Sequence, residues 1–186
     1  MKRHIIFCTA LLALVFTSCM KSPQIYRLLT KEEQEIVPYQ LGQHIRLLNQ
    51  DGDTIQLAVI RDELRLGYEN EFYRTSKMKP NIPSYCYERF IELTSHADDS
   101  CGMNFTVGPD KQFEFRWKYK QQGGAIYYDL PNMPTETQTF NGITYQNVYR
   151  QEFYFGDDSI QQVVYYNEEF GLLAIKHGET YLTRIP

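Results

Sequence analysis

The stretch Gln112-Phe113-Glu114-Phe115-Arg116-Trp117-Lys118-Tyr119-Lys120 decides the fold class. Phe113, Phe115, Trp117 and Tyr119 fall on one face of an extended chain and Gln112, Glu114, Arg116, Lys118 and Lys120 on the other. That period of two predicts a strand with one face in a core and one in water. Gly108-Pro109-Asp110-Lys111 before it and Gln121-Gln122-Gly123-Gly124 after it have turn composition.

The same signals recur outward in both directions. Upstream, Gln43 to Asn49 and Thr54 to Arg61 flank Gln50-Asp51-Gly52-Asp53, whose Asp-Gly pair is a strong hairpin signal. A further strand is expected from Glu63 to Phe72, then a basic loop from Arg74 to Pro83 with two prolines. Ser84 to Thr94 reads as a strand leading into the polar turn Ser95 to Ser100, with Gly102 to Val107 after it. Downstream, strands are expected at Ala125 to Leu130, Gly142 to Phe155, Ile160 to Asn167, Leu172 to His177 and Thr180 to Ile185. The loop Pro131-Asn132-Met133-Pro134 interrupts them, and short turns join the last four as a meander. Helical periodicity is confined to Gln24 to Val37, where Thr30 and Glu33 fit a capping box for a short helix starting at Lys31; Pro38 ends it. The expected fold is therefore mainly β: an antiparallel curved sheet or sandwich of about ten strands with one N-terminal helix, residues 24-186 forming a single domain.

The first 23 residues carry an address. Lys2 and Arg3 precede an apolar run from Ile5 to Phe16, and Thr17-Ser18 lead into Cys19, the plan of a secretory signal whose cleavage site ends in cysteine. Twelve apolar residues fall short of the roughly 20 a membrane-spanning helix needs. Two small polar residues followed by Cys resemble a bacterial lipoprotein signal, and that resemblance implies that residues 1-18 are a lipoprotein signal peptide and 19-23 the lipidated Cys19 with a short tether. Two or more acyl chains hold such a protein on a bilayer, because each buried methylene contributes about 0.8 kcal/mol. From Met20 to Gln24 the chain reaches at most about 17 Å, so the domain is expected close against the lipid.

Removing Lys2 and Arg3 from the 19 basic residues leaves 17 against 23 acidic, a net charge of −6, which argues against nucleic acid as a partner. The remaining 168 residues (186 minus 18) are enough for one core without metal or disulfide. Once Cys8 leaves with the signal and Cys19 takes the lipid, Cys86 and Cys101 remain. They form either one disulfide in an oxidising compartment or two separate buried thiols. In a plain hairpin the two positions stand roughly 26 Å apart, so a bridge needs a bend or non-neighbour pairing.

Scattered short motifs resemble the small uncharacterised lipoproteins of Bacteroidota-type bacteria. They are Leu29-Thr30 with Glu32-Glu33, Ile36-x-Pro38-Tyr39-x-x-Gly42, Gly52-Asp53, Tyr85-x-Tyr87-Glu88, Gly142-x-Thr144-Tyr145-x-Asn147-Val148 and Tyr165-Tyr166-Asn167-x-x-x-Gly171-Leu172-Leu173. The resemblance implies a membrane-anchored β domain and transfers no catalytic residue. Surface-directed lipoproteins of that group carry acidic residues just after the lipidated cysteine. Here Met20-Lys21-Ser22-Pro23 follows, which points to the periplasmic side of the outer membrane.

Catalytic chemistry has few candidates. His44, His96 and His177 stand in no recognised nucleophile or metal motif, and no Gly-rich phosphate loop is present. The acidic pairs Glu32-Glu33, Asp98-Asp99, Asp157-Asp158 and Glu168-Glu169 sit in a helix start or in turns, where acids are simply well hydrated. Asp51 and Asp53 lack the other ligands of a calcium loop, and His96 beside Asp98 and Asp99 lacks a second ligand pair. No metal and no cofactor is expected. The expected role is a non-catalytic module that docks an envelope protein, with the membrane as its other partner through the N-terminal lipid. The alternative is a lipid or glycan carrier lined by Trp117, Tyr119, Tyr127 and Tyr166. Oligomeric state is not readable at this level.

Overall fold

Each alternating run pairs with its neighbour in sequence, and the whole sheet follows from that rule. In the computed structural model, which describes residues 28–68, 85–95, 101–154 and 160–186, one helix and eleven strands follow in order. They are α1 (Lys31–Glu35), β1 (His44–Asn49), β2 (Thr54–Tyr68), β3 (Tyr85–Ser95), β4 (Cys101–Val107), β5 (Gln112–Tyr119), β6 (Gln122–Asp129), β7 (Thr135–Phe140), β8 (Ile143–Tyr154), β9 (Ile160–Asn167), β10 (Gly171–His177) and β11 (Thr180–Ile185). All belong to one antiparallel sheet in the order β6-β5-β4-β3-β2-β1-β11-β10-β9-β8-β7, curled into a half-barrel. The one junction between distant parts of the chain is β1 with β11, running from Arg46↔Ile185 to Asn49↔Leu182.

The expected β class and the C-terminal meander are what the structure has, with three differences. The two strands expected at Thr54 to Arg61 and Glu63 to Phe72 are one strand as far as Tyr68, and residues 69–72 lie outside the described ones. Of the run expected to be helical, residues 24–27 lie outside the described ones, and the described part is helical only over Lys31–Glu35. Strand β7, Thr-Glu-Thr-Gln-Thr-Phe, carries too little apolar alternation to be read as a strand, because it is exposed along most of its length. The loop Arg74 to Pro83, the turn residues His96, Asp98 and Asp99, and Asp157-Asp158 lie outside the described residues, as does the signal segment with Cys19.

Curling brings inner faces together. Phe113 stacks on its ladder partner Tyr128 at 4.5 Å and 1°, and Phe105 stacks on its partner Phe115 at 4.8 Å. Both are cross-strand pairs, the unit that stabilises a sheet. Tyr166 of β9 then meets Phe113 at 4.6 Å and Phe105 at 6.1 Å, so the β4-β5-β6 half faces the β9-β10 half across a shared core. Each fully buried aromatic or aliphatic side chain contributes roughly 1.5–3 kcal/mol.

One end of this core is covered by residues 29–39. Thr30 caps α1: its hydroxyl accepts from Glu33 N–H at 3.2 Å while the Glu33 carboxylate accepts from Thr30 N–H at 2.8 Å. The other Glu33 oxygen accepts from Asp110 N–H at 2.5 Å, tying the cap to the β4-β5 turn. Five residues make a marginal helix, so tertiary contacts must hold it. Arg89 on β3 supplies them. Its Nε and Nη2 form a bidentate pair with Asp62 at 2.8 Å each, Nη1 donates to the carbonyls of Gln34 and Val37, and Nη2 donates to Tyr39 O at 2.7 Å. All five guanidinium N–H groups are thereby used. Tyr166 Oη donates to Ile36 O at 2.6 Å, and Tyr39 Oη accepts from Leu172 N–H at 2.7 Å.

On the outer side, β8 leaves the main sheet. Its ladder with β9 begins only at Tyr149↔Tyr166, and Asn147 takes a left-handed φ of 54° just before it. Residues 143–148, with β7 beside them, cross the outer face instead. Phe140, Tyr145 and Val148 pack there on Leu173 and Ala174, and Asn141 Nδ2 at the hairpin tip donates to Thr183 Oγ1 at 3.1 Å and Arg184 O at 2.9 Å.

Two tests follow. Gly171 and Gly142 share φ = 80°, but a Cβ at Gly171 would overlap the buried Tyr39 phenol, whereas nothing lies within 4 Å of one at Gly142. Gly142→Ala should therefore lose only the left-handed conformational term, about 1–2 kcal/mol. Gly171→Ala should lose roughly 1–3 kcal/mol more from overpacking, so equal losses in urea unfolding would refute the Tyr39 contact. Arg89→Leu leaves Asp62 and three carbonyls stranded and should cost about 3–5 kcal/mol in the same assay; a loss below 1 kcal/mol would sink the clamp.

Candidate functional site

Three of the four aromatics expected to face a ligand are structural. Trp117, Tyr119 and Tyr166 are buried in the core. The Tyr166 hydroxyl is committed to Ile36 O, and Tyr119 Oη accepts from Asn49 Nδ2 at 3.2 Å. Asn49 is itself the organiser of the β1-β2 turn, its Oδ1 accepting from Asp51 N–H at 3.0 Å and Asp53 N–H at 2.7 Å. That explains the Asp51-Gly52-Asp53 sequence as turn chemistry. Tyr127 differs from the other three. It alternates with buried Ile126 and Tyr128 and points outward, 54% exposed.

Around Tyr127, the outer face of β2 to β6 carries a continuous polar surface. Across the ladders, Tyr127 lies opposite Glu114, Glu114 opposite Thr106 and Thr106 opposite Phe90. Glu114 is buried although it belongs to the water-facing register, and it is paired with Arg116. Burial raises the Tyr127 phenol and a hydrogen bond to Glu114 adds to this; the Arg116 guanidinium is raised chiefly by its hydrogen bond to Glu114. Tyr127, Glu114 and Arg116 thus form one connected group. Two strands away, Arg65 pairs with the buried Glu88 at 2.5 Å and lies over the Phe90 ring at 4.0 Å from its centre. Arg61 pairs with Glu92 at 3.6 Å.

Between these groups is a groove of about 280 Å³ over β3, β4 and β5. Glu92, Thr94, Asn104, Arg116 and Lys118 project into it, and Gly102 lowers its floor. The lining offers two cations, one carboxylate, an amide and a hydroxyl, suited to a polar partner surface with both donors and acceptors. A second depression of about 470 Å³ lies beside α1, but Arg89 and Asp62 in its wall are already bonded to each other and to the backbone.

The remaining candidates do not assemble. His44 Nδ1 lies 3.0 Å from Gln56 Nε2 on the surface of β1. His177 packs edge-on against Trp117 at 5.6 Å, opposite Gln162 in the β9-β10 ladder. Among the described residues Trp117 Nε1, Gln162 Nε2 and His177 Nδ1 have no hydrogen-bond partner, and Gly124 makes their packing possible: a Cβ there would sit 2.5 Å from Gln162 Oε1 and 3.1 Å from Trp117 Nε1. Glu32 and Glu33 are helix-start residues, and Glu168 and Glu169 lie in the β9-β10 turn. Among the described residues no group of three or more His, Cys, Asp or Glu side chains gathers. Cys101 is buried at the start of β4, and the side chain of Cys86 lies outside the described residues. The register Arg89↔Val107 to Thr94↔Gly102 sets Cys86 and Cys101 at opposite ends of the β3-β4 ladder, about 30 Å apart along the strands.

The signal that separates Tyr127 from Tyr128 was available only as a parity: Tyr128 shares the face of Ile126, Tyr127 that of Ala125. Glu114 and Arg116 stand among the residues expected in water, and nothing local marks the groove. Comparison with family models, with curated proteins and with solved structures finds no match.

Glu168 does have a structural task. It accepts from Tyr149 Oη at 2.7 Å, and burial followed by this bond pushes the phenol from 10.0 up to about 12. A raised folded-state value means that the stability it contributes is complete below pH 10 and is lost as pH rises towards 12. Across that window the urea midpoint of the parent should fall more steeply than that of Tyr149→Phe, followed by Trp117 fluorescence; parallel slopes would contradict the assignment.

Proposed function

We propose that this chain is a membrane-anchored cell-envelope lipoprotein, held through Cys19 at the outer membrane facing the periplasm. Its β domain is a non-catalytic binding module that engages an envelope protein through the outer groove of β3 to β5. The observation that carries this reading is the division of labour between the faces of the sheet. The inner aromatics are in mutual contact at 4.5 to 6.1 Å, which favours recognition on the surface over the carrier alternative. The outer face holds a groove with donors and acceptors side by side and an exposed tyrosine at its margin. Anchoring is supported by the sequence Phe16-Thr17-Ser18-Cys19 and by the small separation between Cys19 and the first helix.

A photo-crosslinking residue placed at Lys118 in cells should capture a reproducible envelope protein, and one placed at the exposed Lys176 on β10 should not. With the photo-crosslinking residue kept at position 118, reversing Arg116 to Glu should lower that capture about tenfold. Equal labelling from both positions, or none from Lys118, would remove the groove from consideration. Cys19→Ala should release the protein from membranes and abolish capture; full capture by the released form would show that the anchor plays no part.

A further inference from the structure

The sheet has two terminal strands, and they are treated differently. Strand β7 travels with β8 on the arm folded over the outer face, its ladder broken by a register shift between Glu136 and Gln138. Shifts of this kind, charges and prolines are the usual protections of an edge. Strand β6 has no register shift and no proline, and its one charge, Asp129, is its last residue. Its ladder with β5 runs through eight successive pairs, from Gln112↔Asp129 to Tyr119↔Gln122, without a shift. From Gln122 to Tyr128 it contains no charge and no proline. Apart from that ladder, its backbone makes no hydrogen bond to another segment among the described residues.

We infer that β6 pairs with β6 of a second copy of this chain, antiparallel about a two-fold axis at Ala125. The strand is self-complementary in size: Gly123 and Gly124 occupy one half, Tyr127 and Tyr128 the other. Two-fold pairing must keep outer residues opposite outer residues. A centre at Ala125 satisfies this and sets the exposed Tyr127 opposite Gly123 of the second copy, with Ile126 opposite its Gly124. Tyr127 then lies over a residue with no side chain of its own, while Ile126 stays in its own core. No like charges meet, because Gly123, Ala125 and Tyr127 are the outer-face residues involved. The pairing extends two half-barrels into one continuous sheet and covers an edge that no strand of the described residues pairs with.

This pairing covers Tyr127 at the margin of the groove but uses neither the residues that line the groove nor the anchor. Two copies in one leaflet can pair in this way with the axis along the membrane normal and β6 parallel to the surface. From Cys19 to Thr30 the chain spans about 36 Å when extended, which permits it.

Ala125 is exposed, so substitutions there leave the core intact. In the full chain, solubilised in mild detergent, Ala125→Cys should form a covalent dimer under mild oxidation, because the two side chains at the axis face each other at about 5 Å. Lys176→Cys and the parent chain, with its own cysteines, should not. Ala125→Lys sets two ammonium groups on the axis and should weaken the sedimentation-derived dimer about tenfold or more, with an unchanged circular dichroism spectrum. The inference is overturned if the chain is monomeric at roughly 100 μM. It is equally overturned if position 176 cross-links as readily as 125, if Ala125→Lys leaves the dimer intact, or if β6 is occupied by a strand of a different protein.

Discussion

The guanidinium of Arg89 is the interaction on which the architecture depends. A curled sheet with an aromatic inner face leaves its core open at the end, and residues 29–39 cover it here. That segment brings carbonyls with no partner of their own, because a five-residue helix ends almost as soon as it begins. One arginine reaches Gln34, Val37 and Tyr39 together, which lysine could not do with a single point charge. Burying that cation is tolerable only because Asp62 meets it in a bidentate pair. Asp62 is available only because β2 runs unbroken past Arg61. The long second strand and the short first helix are therefore two sides of one electrostatic requirement.

Much of the sheet was legible in the sequence because period two is a local property. Gln112 to Tyr119 could be read without knowing what it pairs with, and short turns then dictated its neighbours. The capping box at Thr30 and Glu33 was legible for the same reason. What could not be read is whatever depends on remote partners. Arg89 stands in Tyr-Glu-Arg-Phe-Ile-Glu-Leu as one more polar residue, and its acceptors are spread from Gln34 to Asp62. Strand β7 is recognisable only through its pairing with β8. The aromatics expected to face a ligand were chosen by type, and type does not tell core from surface: Tyr127 and Tyr128 are adjacent and identical, yet one is outside and the other stacked on Phe113. Glu114 makes the converse point, since a residue in the solvent register is buried by its neighbours.

The arm formed by β7 and the first half of β8 shows how one backbone position can redirect a strand. Asn tolerates the left-handed region better than any other residue except glycine. At Asn147 it turns a strand that would have lengthened the sheet into one that covers it. Asn167 holds the bend from the other side, its Nδ2 donating to Gln146 O at 2.6 Å. The outer face is thus covered over β9 to β11 and open over β3 to β6, which is why the groove lies where it does.

The clamp also decides how the domain would bear mechanical load. A pull applied ahead of Leu28 reaches the capping box first, then the carbonyls held by Arg89, and then Tyr39 wedged against Gly171. These contacts lie across the interior, so tension on the N-terminal side would be shared by β3, the β4-β5 turn and β10 before any strand of the sheet could be peeled away. Detachment of the segment would uncover the aromatic core at once, so the domain should yield abruptly rather than unravel strand by strand.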